Sequence, residues 1–204
     1  MNLPDAYPIN NSQLSLAETS VEQWHKRYIL EEEGFKSAYM EKGTAVHNYI
    51  ANGDTELLTK DEIRRLNVVI REYGLNTIRH EVKIKQPIPP SMITAQTPLM
   101  MYGTLDGISQ DEKTIYEIKT GKDPIILEGD AIRKQIDYYL CLHNKATEVK
   151  KIWIGTEGDT SNLTVSGEHL LISEDYSKEQ KEAAYHRVAM RMNTFIYNVN
   201  NYNP

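Results

Sequence analysis

Two acidic residues and a lysine stand at the ends of two short segments, Gly103-Thr104-Leu105-Asp106 and Glu117-Ile118-Lys119. Both segments lie in runs rich in β-branched and aromatic residues, and the stretch between them is polar at its middle, the pattern of a β-hairpin. With the turn centred between Asp111 and Glu112, Asp106 lies opposite Glu117 and Thr104 opposite Lys119. Side chains alternate across a strand, so Asp106, Glu117 and Lys119 share one face. Leu105, Tyr116 and Ile118 then point to the other face, which is apolar and suited to a core.

Carboxylates opposed on a sheet repel unless a positive charge lies between them. A divalent cation meets that need, and Mg²⁺ is typically held by one or two carboxylates together with substrate phosphate. A lysine two residues past the second carboxylate can polarise a water beside the metal. Hydrolysis of a phosphodiester uses this equipment: a Lewis acid and a positioned nucleophilic water. Spacing alone leaves a simpler account open, a solvated hairpin with alternating charges.

The elements that must position these residues can be read from periodicity and caps. Helices are expected at about 12–30, 37–51, 59–73, 130–145 and 177–198. Thr59 with Glu62, and Ser177 with Gln180, read as capping boxes. Strands are expected at about 77–86, 99–108, 114–120, 150–155 and 162–173. Gly121-Lys122-Asp123-Pro124 reads as a loop. The order is helices, then strands, then helix, strand and helix. It predicts an α/β (α+β) fold with a mixed central sheet flanked by helices, an N-terminal helical segment and a long C-terminal helix. One domain is expected over 1–204, with a helical part at 1–76, the sheet and the helix after it at 77–157, and a closing strand and helix at 158–204.

Two further motifs flank the hairpin: Gly43-x-x-x-His47 on an upstream helix and Gln135-x-x-x-Tyr139 on the helix that follows. With Gly103-x-x-Asp106 and Glu117-x-Lys119 they form an ordered set. In this order and spacing the set resembles the RecB-like branch of the PD-(D/E)XK nuclease superfamily, with a restriction-endonuclease-like core. That branch includes the nuclease domains of bacterial recombination complexes and the CRISPR adaptation nucleases, and lambda-type exonucleases are more distant relatives. The resemblance covers about residues 10 to 155. It implies metal ligation by His47, Asp106, Glu117 and the backbone carbonyl of Ile118, and a Lys119 that orients or activates water. It implies that Gln135 and Tyr139 face the active site, where they help hold the lysine or a phosphate. Glu81 matches a common acidic position of the branch, where it would reach a second metal through water. An exposed strand residue is an equal reading of Glu81. Lys83, Lys85, Lys122, Arg133 and Lys134 are candidates for phosphate contacts, and solvated faces are the alternative.

Many members of the branch carry a Cys-Pro-x-x-aromatic element and three later cysteines that hold a 4Fe–4S cluster. Here the matching stretch is Ser20-Val21-Glu22-Gln23-Trp24, and Cys141 is the single cysteine. No iron–sulfur cluster is expected. Helix packing has to close the fold, with Cys141 as a small buried hydrophobe.

The resemblance implies a Mg²⁺- or Mn²⁺-dependent deoxyribonuclease, an exonuclease acting on single- or double-stranded DNA ends and leaving 5′-phosphate and 3′-hydroxyl. Recombination, repair or phage and viral DNA processing is the implied setting, with a recombination or single-strand-annealing protein as partner. A nuclease-fold subunit that binds ends without turnover is the alternative. RNA, strand preference and oligomeric state stay open. The net charge of −6 argues against coating of nucleic acid by bulk electrostatics. Residues 79–151 nevertheless hold 11 basic and 10 acidic side chains, so the segment carrying the hairpin is about neutral. No transmembrane run and no signal-peptide pattern occur, and the cytoplasm is the expected location.

Overall fold

Serine and threonine caps set where the helices begin. The computed structural model describes residues 7–34, 36–93 and 99–202. The predicted first helix is two: α1 (Asn11–Thr19) and α2 (Val21–Tyr28). Ser20 between them has an extended backbone, and its hydroxyl accepts a hydrogen bond from the Gln23 amide. It therefore ends one helix and caps the next. Helix α3 (Ala38–Asn52) starts at Ser37 and stops at Gly53, whose φ of 74° favours glycine. Helix α4 (Lys60–Glu72) has the Thr59–Glu62 capping box, and α6 (Lys178–Asn201) the Ser177–Gln180 box. Between them comes α5 (Asp130–Leu142), shorter at its end than predicted.

Six strands form one mixed sheet. They are β1 (Pro8–Ile9), β2 (Arg79–Pro87), β3 (Met100–Ile108), β4 (Thr114–Gly121), β5 (Glu148–Glu157) and β6 (Thr164–Asp175). Their order is β1-β3-β4-β5-β6, with β2 antiparallel along the other edge of β3. Strands β4 and β5 are parallel, joined through α5, and β6 returns antiparallel. The short β1 was not anticipated. It pairs parallel with Met100 and Met101 of β3. The segment after β4 contains a short 3-10 turn, Pro124–Leu127, where a loop was expected.

Two apolar clusters cover the two faces. One joins α1, α2, α5 and α6 around Trp24, Tyr138 and Phe195, with the Trp24 and Phe195 rings edge to face at 5.2 Å. The long C-terminal helix thus packs onto α2 through this ring pair. The other cluster joins Val46 and Ile50 of α3 and Leu66 and Val69 of α4 to Ile118, Ile152, Ile154 and Val165. The expectation that Leu105, Tyr116 and Ile118 share one face is corrected here. Leu105 belongs to the first cluster, and Tyr116 and Ile118 to the second. Cys141 is partly buried against the first cluster. Among the described residues, no helix is long and apolar enough to cross a membrane.

Candidate active site

The site is built where β3 and β4 come apart. Near the turn the two strands pair through Gly107↔Tyr116 and Ile108↔Ile115, the register that sets Asp106 opposite Glu117. The ladder ends there, so the expected pairing of Thr104 with Lys119 is not made. Backbone groups left by the parting must find partners elsewhere. The Ile118 amide donates to Asp106 Oδ2 at 2.8 Å, and the Ile118 carbonyl lies 3.1 Å from His47 Nε2. On β3, the Thr104 carbonyl accepts from the Tyr139 hydroxyl at 2.9 Å, and the Tyr102 amide donates to the Tyr138 hydroxyl at 3.2 Å. Side chains from α3, α5 and β3 itself hold the strands apart.

Glu117 and Lys119 occupy the depth of this split. The Glu117 side chain is 0% exposed. One oxygen meets the Lys119 ammonium, and among the described residues its carboxylate has no other polar partner. Burial, and then the nearby Asp106 charge, push the Glu117 carboxyl well up, against the pull of Lys119. Asp106 is also raised, chiefly by burial, although Lys119 and the Ile118 amide act to lower it. Burial opposes the charge on Lys119, but Glu117 and Asp106 outweigh it and raise the ammonium above its ordinary value. Lys119 is therefore a cation, suited to orient water and offset charge rather than to take up a proton.

His47 reaches the site from α3. The close approach depends on Gly43 one turn earlier, because a Cβ there would stand 3.0 Å from Thr120 Oγ1 on β4. Burial lowers the His47 pKa, so the ring is neutral. With Nε2–H donating to the Ile118 carbonyl, Nδ1 keeps its lone pair and lies 3.6 Å from Asp106 Oδ1. The carbonyl expected as a metal ligand is thus the residue that sets the histidine tautomer.

Glu81 completes the group, and it does so with a backbone that few residues adopt. In the β2–β3 ladder it falls opposite Asp106, between His80↔Gly107 and Val82↔Leu105, but makes no pair itself. Its φ is +49°. A non-glycine residue in that region costs of order 1–3 kcal/mol and persists where surrounding structure enforces it. The twist brings the Glu81 carboxylate to Asp106 and His47, and one ligand atom from each of the three lies within 4.8 Å of the others. The two carboxylates suit Mg²⁺ or Mn²⁺, and the imidazole is a donor that favours transition metals. His47, Glu81 and Asp106 thus stand together, and Glu117 lies beside them paired with Lys119.

The remaining candidates divide. Gln135 donates to the Tyr139 hydroxyl at 2.8 Å, and that hydroxyl is spent on Thr104. The pair braces the wall of the site, and among the described residues neither side chain is hydrogen-bonded to Lys119. Lys134 is turned to Glu18 and Asp130. Lys122 is exposed and lies 5.8 Å from the centre of the Tyr39 ring. Lys83 and Lys85 are exposed on β2. An open cleft of about 600 Å³ fronts the site, lined by Tyr39, Gly43, His47, Glu81, Lys119 and Thr120. Tyr39, and also Met40, Thr44 and Asn48 in the same cleft, were missed in the sequence. Their spacing from Gly43 and His47 along α3 was the available signal. Strand preference and polarity would depend on loops such as 91–98, and residues 94–98 of that loop lie outside the described residues.

Comparison with known proteins gives the fold its class. No protein-family profile and no curated protein matches the sequence. Solved structures do match. A candidate exonuclease from Eubacterium rectale superposes with a TM-score of 0.62 at 13% identity, over 98% of this chain and 87% of that one. A phage-related exonuclease from Haemophilus somnus superposes at 0.56 with 10% identity, over 90% and 82%. The LHK-Exo structure in complex with dAMP gives 0.52 at 13% identity, over 94% and 87%. The chain therefore has the mixed-sheet fold found in these exonuclease structures.

Proposed function

We propose that this protein is a divalent-metal-dependent deoxyribonuclease of the RecB-like PD-(D/E)XK type that acts on DNA ends. The observation that carries this reading is the convergence of His47, Glu81 and Asp106 around one point, backed by a fully buried Glu117 paired with a Lys119 that lines the cleft. The shared fold with exonucleases supports it, and so does the nucleotide dAMP bound to one of them. Buried carboxylates with raised pKa values need a cation to become ionised together. Mg²⁺ or Mn²⁺ held there supplies Lewis acidity at the scissile phosphate and a more acidic bound water.

The chain's own residues do the rest. His47 Nδ1 and the Asp106 and Glu81 carboxylates offer the ligands, with the His47 ring fixed by its bond to Ile118. Lys119 stays protonated, orients the attacking water and meets the negative charge that grows on the phosphoryl oxygens. Gln135 and Tyr139 keep β3 away from β4 so that the cleft stays open.

The test is cleavage of end-labelled linear DNA and of circular DNA, single- and double-stranded, in Mn²⁺, Mg²⁺ or EDTA. Metal-dependent loss of linear DNA alone, abolished by Asp106→Asn, is the expected result. Cutting of circles would make the enzyme an endonuclease. The absence of cleavage with either metal would contradict the reading in favour of an end-binding subunit.

A further inference from the structure

The cleft before the acidic group has a second end with a different chemistry. Tyr39, Gly43 and His47 follow one another at four-residue spacing on α3, so they line one face of the helix. Tyr39 stands about 12 Å along the helix axis from His47. Its ring and the exposed Met40 make an aromatic and apolar end to the cleft, while Glu81 and His47 make the ligand end. The Lys122 ammonium lies 5.8 Å from the Tyr39 ring centre. It sits on a long, exposed stem three residues beyond Lys119, just past β4.

We propose that Tyr39 and Lys122 form a subsite for a nucleotide close to the scissile phosphate, the base stacking on the Tyr39 ring and the phosphate resting on Lys122, so that the strand being cut is unpaired there. This deepens the nuclease reading and rests on it. The two ends of the cleft match the two parts of a nucleotide. A phosphate fits the cation-binding end, and a flat base fits an aromatic ring with an ammonium nearby. The Lys122 stem allows the ammonium to move off the ring face to the phosphate as the base takes its place. Inside a duplex both faces of a base are covered by its neighbours. Apart from the outer face of a terminal pair, only an unpaired, frayed or extruded base can offer a face to Tyr39. Stacking of this kind is tolerant of sequence, since every base has such a face.

The experiment uses single-stranded oligonucleotides carrying one abasic position, moved stepwise through the region next to the cut. Wild-type protein should slow roughly fivefold to hundredfold at one such position, the range for losing one base–aromatic stack. Tyr39→Leu should slow on the intact oligonucleotide by a similar factor and lose nothing more on that abasic one. Tyr39→Phe keeps the ring and should recover most of the rate lost in Tyr39→Leu, and Lys122→Gln should raise KM with little change in kcat. 2-Aminopurine at the sensitive position, bound in EDTA, should be quenched by wild type and not by Tyr39→Leu. Equal tolerance of every abasic position, or Tyr39→Leu at wild-type rate, would overturn the subsite. If wild type cleaves nothing in any metal, the nuclease reading fails and quenching alone decides: its presence supports the subsite and its absence overturns it.

Discussion

At the scale of single residues, the site turns on one lysine and two buried carboxylates. Lys119 is held as a cation by Glu117 and Asp106. Lys119→Ala should reduce cleavage by at least about a hundredfold, as for loss of a charge-stabilising donor, while DNA binding stays near wild type. Comparison of single-turnover rates with filter-binding affinities checks this. Glu117 gives a pH signature in the metal-free protein. Its pKa is raised in the folded state, so the folded chain binds more protons than the unfolded chain above the usual carboxylate range. Stability is greatest below that range and falls as pH rises towards neutrality. Glu117→Gln carries no such charge. It should therefore melt higher than wild type at neutral pH in EDTA, with the difference vanishing in acid. A mutant that melts lower than wild type at every pH would show that the ionised pair with Lys119 is a net stabiliser. Asp106, Glu117 and Lys119 were legible in the sequence because strand alternation puts them on one face. The place of Glu81 beside His47 and Asp106 was not, since nothing in Arg79–Pro87 marks a positive φ.

At the scale of elements, the site exists because neighbouring segments supply what the parted strands lack. Tyr139 satisfies Thr104 and is steadied by Gln135. Tyr139→Phe leaves a buried carbonyl without its donor and should cost about 1–3 kcal/mol in chemical denaturation. It should also lower activity, since β3 loses the contact that holds it off β4. Glu62 plays the matching part on the opposite face. It completes its own helix cap at Thr59, pairs with Lys42 of α3 at 2.8 Å and accepts from the Val165 amide of β6 at 3.0 Å. Glu62→Ala removes one partner of a buried pair and should cost about 3–5 kcal/mol. The caps at Thr59 and Ser177 were readable because a capping box is local. The break at Ser20 and the parting of β3 from β4 were not. The first turns on a residue that also tolerates a helix interior, and the second depends on tyrosines some thirty-five residues away on α5.

At the scale of the whole molecule, apolar clusters cover both faces of the sheet, and β3 and β4 part at the site. The mixed sheet and its flanking helices followed from periodicity, because apolar spacing reports burial directly. What the pattern could not report is which acidic side chains meet, for that depends on a two-face sheet with helices brought in from distant sequence. On the proposed nuclease reading, His47, Glu81 and Asp106 would hold a divalent cation, with Glu117 and Lys119 beside them. The most direct test is calorimetric titration of Mn²⁺ into metal-stripped protein, beside Asp106→Asn, which keeps an acceptor for the Ile118 amide. Saturable binding by the wild type, abolished in Asp106→Asn at unchanged fold, is the result expected. No binding, or equal binding by both, would contradict the account.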